Sequence, residues 1–337
     1  MKSRTNLARR ITALLSGLTL LSLTACSALS QEEEGGSGQI RVAATGVDSL
    51  PFMAVLQLAV DKGWFEREEL NVSILSGGGG GNTLRTVTSG DADLAITGSP
   101  AVVHAAQTPA ANLTVIGSWM QVNDFSWITP DQGASLEGAS LGFSKAGSAT
   151  ELIVNGVKEE LADKRLTSIS VGEMGDNWVA AKAGRITAGW AMHPFVTEKQ
   201  EEEGAKVLLS ARDVIGDHPA DLVAVNNDFK EANGKQLSAF FRVVDKAFNY
   251  VVREPEKAAK DLGPLVDVTP EIMATALRQT PELETAYSLK VDPQALRNLS
   301  DLMVGAGEID EPIEWGSLLD QRYLPENARA DLDGKEG

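Results

Sequence analysis

Leu70-Asn71-Val72-Ser73-Ile74-Leu75 runs into Ser76-Gly77-Gly78-Gly79-Gly80-Gly81-Asn82-Thr83, and that into Leu84-Arg85-Thr86-Val87. The first segment alternates well enough to predict a strand. The last reads as the opening turn of a helix. A glycine run between the two admits positive φ and brings backbone close to a ligand. The helix that follows offers free N–H groups and a partial positive charge. Asn82 or Thr83 can cap that helix or turn toward whatever lies above it. Two readings stay open here: a site for an anionic or polar group, and a flexible surface loop. The run lacks the Gly-Lys-Ser/Thr ending of a nucleotide P-loop and the GxGxxG spacing of a dinucleotide fingerprint.

Upstream, Gln39 to Ala44 predicts a strand, and Thr45-Gly46-Val47-Asp48-Ser49 a turn with Ser49 as a cap. Pro51 falls in the first helical turn, where its missing N–H costs nothing. Phe52, Val55, Leu56, Ala59 and Val60 recur at helical spacing. Gly63 stops the helix, which makes a strand–helix–strand unit suited to a parallel sheet. Downstream, Leu94 to Ile96 is a short buried strand with Thr97, Gly98 and Ser99 at its carboxyl end. Ligands of open α/β sheets bind at such ends. Thr45/Gly46/Ser49, Asn82/Thr83 and Thr97/Ser99 therefore predict one shared site.

The second half repeats the logic without a sequence repeat. Leu141 to Phe143 is a strand, and Lys145-Ala146-Gly147-Ser148-Ala149-Thr150 opens a helix over 151–161. Ser148 and Ala149 are placed to give backbone N–H groups to a sulfonate or carboxylate, or to serve as plain capping; Lys145 is the one base beside them. Leu166 to Val171 predicts a strand, 178–183 a helix, and 185–192 a strand ending at His193-Pro194-Phe195. Asp176 and Asn177 suit an amine or hydroxyl, and Asp176 equally suits an N-cap. Met192 and His193 end the last strand at the same side. Trp119, Trp127, Trp178 and Trp190 cluster near the expected lobe crossings; most belong to the core and one or two to a cleft. Asp221 to Val225 is a returning strand, and the remainder is helical up to a polar tail.

The amino terminus bears on the compartment. Lys2, Arg4, Arg9 and Arg10 precede an apolar run from Ile11 to Leu23, too short to span a bilayer comfortably and built like a secretory signal. It ends in Leu23-Thr24-Ala25-Cys26, which resembles the bacterial lipobox and implies cleavage before Cys26 and lipid upon it. Cys26 is the one cysteine, so an intramolecular disulfide and a cysteine-rich zinc site are excluded. His104, His193 and His218 lie far apart, and no metal constellation is visible. The net charge is −17, and losing the four basic residues of the signal takes it to −21. That argues against nucleic acid as a partner.

Together, Asp61-Lys62-Gly63-Trp64-Phe65-Glu66, the glycine loop, Ser89-Gly90-Asp91-Ala92-Asp93-Leu94-Ala95, Ala146-Gly147-Ser148 and Ala183-Gly184-Arg185-Ile186-Thr187-Ala188-Gly189-Trp190 resemble the substrate-binding proteins of ABC importers. The group they resemble is the nitrate/sulfonate/taurine type, also called SsuA/THI5-like or NMT1-like. The resemblance spans roughly residues 39 to 325. It implies a two-lobed α/β protein of the periplasmic-binding-protein fold (type II-like), with two open mixed sheets flanked by helices and a hinge. A signal (1–25), a lipid-anchored tether (26–38), lobe one (39–125 and 215–330), lobe two (126–214) and a tail (331–337) are the expected parts. It further implies a monomer without cofactor, held outside the cytoplasmic membrane by Cys26, that closes on a small anionic or polar ligand and hands it to a permease driven by a cytoplasmic ATPase. Family members often carry an acidic residue where His193 stands, an aromatic where Met192 stands, and an acidic residue at Thr187. A flat heterocycle such as a thiamine-precursor pyrimidine is the alternative ligand. An enzyme of the THI5-like kind is a further alternative, but it would need a cysteine-rich iron motif and reactive histidines.

Overall fold

The computed structural model describes residues 38–163 and 165–332. The signal, Cys26, all of the tether but Gly38, and the end of the tail lie outside the described residues. Ten strands are present: β1 (Gln39–Ala44), β2 (Asn71–Ser76), β3 (Leu94–Gly98), β4 (Leu113–Trp119), β5 (Ser126–Thr129), β6 (Ser140–Phe143), β7 (Thr167–Ser170), β8 (Ala188–Ala191), β9 (Lys206–Ser210) and β10 (Asp221–Asn226). They form two five-stranded sheets, ordered β2-β1-β3-β10-β4 and β7-β6-β8-β5-β9. The protein is two-lobed, with one mixed sheet per lobe.

In each sheet four strands share one direction and one runs antiparallel between two of them. β1 pairs parallel with β2 and β3, and β10 runs antiparallel between β3 and β4. β6 pairs parallel with β7 and β8, and β5 runs antiparallel between β8 and β9. The central strands read as unbroken apolar runs because both faces are covered: Leu222, Val223, Ala224 and Val225 are fully buried. The 20-residue helix Gly234–Arg253 buries Leu237, Phe240, Phe241, Val244, Phe248 and Val251 on one face, each such side chain stabilising the fold by roughly 1.5–3 kcal/mol.

The two crossings between the sheets are tied to one another. The Asn123 amide donates to Asp217 Oδ1 at 3.0 Å and its side chain to the Gly216 carbonyl at 3.1 Å. The Ala220 amide donates to the Met120 carbonyl and the Ala211 amide to that of Phe125. The C-terminal helices are not confined to the first sheet. Thr197, on the helix Phe195–Glu203, donates to Gln279, and Gly156 lies against Leu302.

Several sequence-predicted boundaries move. The helix after the glycine run starts at Gly80, with Gly79 as its N-cap at φ 99°. Asn82 and Thr83 therefore occupy its first turn and do not cap it. The helix expected over 178–183 is Met174–Lys182 with Glu173 as N-cap, and Asp176 accepts the Glu173 amide at 3.2 Å from within the helix. The strand expected over 185–192 is only Ala188–Ala191.

Candidate functional site

The sheet order fixes where a ligand can sit. In the first sheet β1 has β2 on one side and β3 on the other, so the helices after β1 and β3 leave on opposite faces and a crevice opens beyond their carboxyl ends. In the second sheet β6 stands in the same relation to β7 and β8. A cavity of about 330 Å³ lies at these ends, lined by Thr45, Thr97 and Gly98 from the first sheet and by Ser144 and Met192 from the second. The antiparallel strands also deliver residues there. Asp221 opens β10 opposite Gly98, and Phe125 immediately precedes β5, whose Ser126 lies opposite Ala191; Asp221 and Phe125 both line the cavity. A wider depression of about 650 Å³ beside His104, Glu308 and Glu311 is lined by no strand-end residue.

Helix N-termini from both lobes converge on the cavity. Gly79, Gly80, Gly81 and Asn82 begin the helix Gly80–Thr88; Gly98 caps Ser99–Ala106; Ser148 caps Ala149–Leu161. The Ser148 hydroxyl accepts the Glu151 amide at 3.2 Å, and of the first turn the Ala149 and Thr150 amides are the ones left without helical acceptors. Across the lobes, a Cβ on Gly98 would lie 3.5 Å from the Ala149 Cβ. The glycine run matters for space as well as for φ: a Cβ on Gly80 would lie 3.1 Å from Ala101, and one on Gly77 would collide with Thr83 Oγ1.

Of the sequence-predicted residues, Asn82, Thr97, Gly98, Ser148, Ala149 and Met192 are brought together in the cavity wall. Thr83 stands behind it: fully buried, it donates to the Gly79 carbonyl at 3.1 Å and lies 2.8 Å from Thr45 Oγ1. The others are placed elsewhere. Gly46 and Ser49 form a turn whose Gly46 carbonyl accepts the Ser49 and Leu50 amides. Ser99 is buried and donates to the Pro219 carbonyl at 2.7 Å, pinning a crossing. Trp119 is wholly core, its Nε1 donating to the Phe52 carbonyl and its ring packing edge-on to Phe248. Asn177 is fully buried and donates to the carbonyls of Gly172 and Glu173, and exposed Asp176 serves the helix start. His193 lies 2.7 Å from Thr197 Oγ1 through Nδ1, and its amide donates to Asp124 at 3.4 Å. These polar residues are spent on caps and crossings, which is the commoner use of such side chains.

Leu50, Phe52, Phe125, Glu173 and Asp221 line the cavity as well, without being singled out by the sequence. Trp190 is the tryptophan that reaches the cavity; it donates Nε1 to the Gly172 carbonyl at 3.0 Å and packs near Phe125, ring centres 6.3 Å apart. A readable signal existed for Asp221, a lone carboxylate heading an otherwise apolar strand. Lys145, Glu173 and Asp221 are the charged groups of the wall. Burial alone pushes the Asp221 carboxyl up to about 7. Beside the crossing, burial likewise raises Asp124 to about 7 and lowers His193 to about 4. Among the described residues no group of three or more His, Cys, Asp or Glu is placed to hold a metal ion.

Such a site, set between two mixed α/β sheets, is the architecture of a periplasmic binding protein. The family described as NMT1/THI5 like matches residues 51–258, and the chain belongs to that family. The alkanesulfonate-binding protein SsuA from Xanthomonas axonopodis pv. citri, bound to MOPS, is similar in structure at a TM-score of 0.66 and 15% identity, covering 84% of this chain and 98% of that one. A ligand-binding component of an ABC-type import system from Staphylococcus aureus, with zinc bound, gives 0.70 and 12%, covering 87% and 100%. The desulfurization enzyme DSZB, in complex with biphenyl-2-sulfinic acid, gives 0.63 and 11%, covering 85% and 97%. At these identities the likeness speaks for the fold. Comparison with curated protein sequences gave no match.

Proposed function

We propose that this protein is the solute-binding component of an ABC importer, a monomer that captures a small anionic or polar organic molecule of sulfonate, nitrate or taurine type and delivers it to a permease. The observation that carries this reading is the meeting, at one cavity, of helix starts from both lobes with Lys145 beside them. Helix N-termini hold anions by unpaired amides and dipole together. The family, and neighbours named as sulfonate-binding and import components, support the same role. Capture without chemistry accords with the neighbours named as binding and import components. Work outside the cytoplasmic membrane, anchored through lipid on Cys26, fits the amino-terminal sequence; intact mass of the mature protein from a bacterial membrane tests it. No helix among the described residues is long and apolar enough to cross a membrane.

Binding is tested by the melting temperature of the purified, ligand-stripped protein against taurine, alkanesulfonates, nitrate, aromatic sulfonates, carboxylates and pyrimidines. A ligand bound only by the folded form raises the transition by mass action. A rise with an anion that is lost in Ser148→Pro supports the reading, and no rise with any compound in a folded protein overturns it. Phe52, Phe125 and Trp190 in the wall favour a second reading, a flat heterocycle, which predicts a rise with pyrimidines alone.

A further inference from the structure

Three carboxylates are buried among the described residues: Asp93, Asp124 and Asp221. Two have partners. Asp93 is paired with Arg41 at 2.6 Å and also accepts the Arg41 amide. Asp124 accepts the His193 amide and feels the charge of Arg212. Asp221 is different. The residue is 8% exposed, it lines the cavity, and no hydrogen bond or ion pair from the described residues reaches its carboxyl group, burial being the one influence on it. A buried carboxylate without a partner costs stability. The first position of β10, facing the strand ends where ligand binds, is where such a group can be completed from outside the chain.

We propose that the ligand of this cleft carries a positively charged nitrogen together with its anionic head, the nitrogen meeting the Asp221 carboxylate while the head meets the helix starts at Gly80 and Ala149 with Lys145. This rests on the reading of the cavity as the solute site and narrows its substrate class to zwitterions. The wall is arranged for both ends: amides and an ammonium at Gly79–Asn82 and Lys145–Ala149, the carboxylate opposite Gly98, and apolar surface from Leu50, Phe52, Phe125 and Trp190. An anion without the nitrogen would leave Asp221 unpaired beside a second negative charge, a repulsive arrangement that selects against it. Because burial raises the Asp221 carboxyl to about 7, pairing with an ammonium favours the carboxylate and sends its proton to solvent. An anion that used protonated Asp221 as a donor would instead draw a proton in.

The test is isothermal titration calorimetry of the purified full chain near neutral pH with two matched pairs: taurine against ethanesulfonate, and 4-(aminomethyl)benzenesulfonate against toluenesulfonate. The expected result is that the amine-bearing member of at least one pair binds about tenfold tighter or more, and that Asp221→Asn removes this preference, weakening the amine-bearing member while the amine-free affinity stays or rises as the repulsion is lifted. Comparing buffers of different ionisation enthalpy with the unaltered protein gives a second readout that needs no variant: proton release on binding the amine. Equal or tighter binding of the amine-free member in both pairs, a preference that survives Asp221→Asn, or proton uptake overturns the inference and leaves the anion-binding role standing. Failure of all four compounds, and of nitrate and the carboxylates, to bind the folded protein overturns both.

Discussion

The Lys145 ammonium of the second lobe reaches the glycine loop of the first: a Cβ placed on Gly79 would lie 2.5 Å from Lys145 Nζ. The contact depends on glycine, and Gly79 also holds φ at 99°. Lys145 is the one cation of the cavity wall among the described residues, and it is exposed. It thus adds charge to a site otherwise made of amides, at a place where salt screens it. Lys145→Met should lower affinity for anionic ligands about three- to tenfold and flatten its salt dependence. The melting temperature without ligand should stay unchanged. Titration at several salt concentrations checks both.

Behind the loop, three hydroxyls form a chain with one direction. Thr83 donates to the Gly79 carbonyl, so its lone pairs accept from Thr45, 2.8 Å away, and Thr45 in turn accepts from Thr97 at 2.7 Å. Thr45→Val keeps the shape and breaks both links at once. Two fully buried threonines are then left short of a partner, so the variant should lose about 1–3 kcal/mol of stability in denaturant titration. Ligand affinity should fall with it, because the Gly79 carbonyl is held by this chain.

These threonines show how far the sequence could be read. The strand–helix–strand order, the glycine loop and the small polar residues at strand ends were legible because each is local: an apolar period, a breaker, a cap. Thr97 and Ser148 were found on that ground. What was not legible is the assignment of polar residues between cleft and scaffold. Ser99, Asn177 and His193 have the same local pattern as true wall residues, yet bond to Pro219, Gly172 and Thr197 respectively. Pro219 is 120 positions from Ser99, a pairing no local window contains. Phe125 and Asp221 reach the cavity because they lead the two antiparallel strands, a consequence of sheet order.

Asp221 also gives the ligand-free protein a pH signature. Burial raises its carboxyl from an ordinary 3.8 to about 7. Between those values the folded state holds a proton that the unfolded chain has released, so stability contributed by this group is present at low pH and lost as pH rises through about 7. Asp124 works in the same direction, and His193, lowered to about 4, opposes both between about 4 and 6.5. Asp221→Asn removes only the first effect. The variant should gain stability relative to the unaltered protein as pH climbs from about 4 to about 7, with the gain level above that. Denaturant midpoints across this range, without ligand, measure the difference; parallel curves would mean that Asp221 is solvated.

Trp190 decides between the two ligand shapes. Its ring borders the cavity beside Phe125, and its Nε1 is committed to the Gly172 carbonyl, so it serves as an oriented apolar wall and has no free donor for an anion. A flat ring bound there would gain aromatic contact of about 0.5–1.5 kcal/mol beyond burial, whereas nitrate or a short alkanesulfonate held by the helix starts would gain little from it. Trp190→Leu keeps the wall apolar while shrinking it, and removes one of the two hydrogen bonds that the Gly172 carbonyl accepts. Stability should therefore fall by about 1–3 kcal/mol. Affinity for benzenesulfonates and pyrimidines should drop about tenfold, and that for taurine or ethanesulfonate by less than about threefold. Calorimetric titration of both ligand sets against the variant measures this split, and equal losses for the two sets would place the ligand away from Trp190.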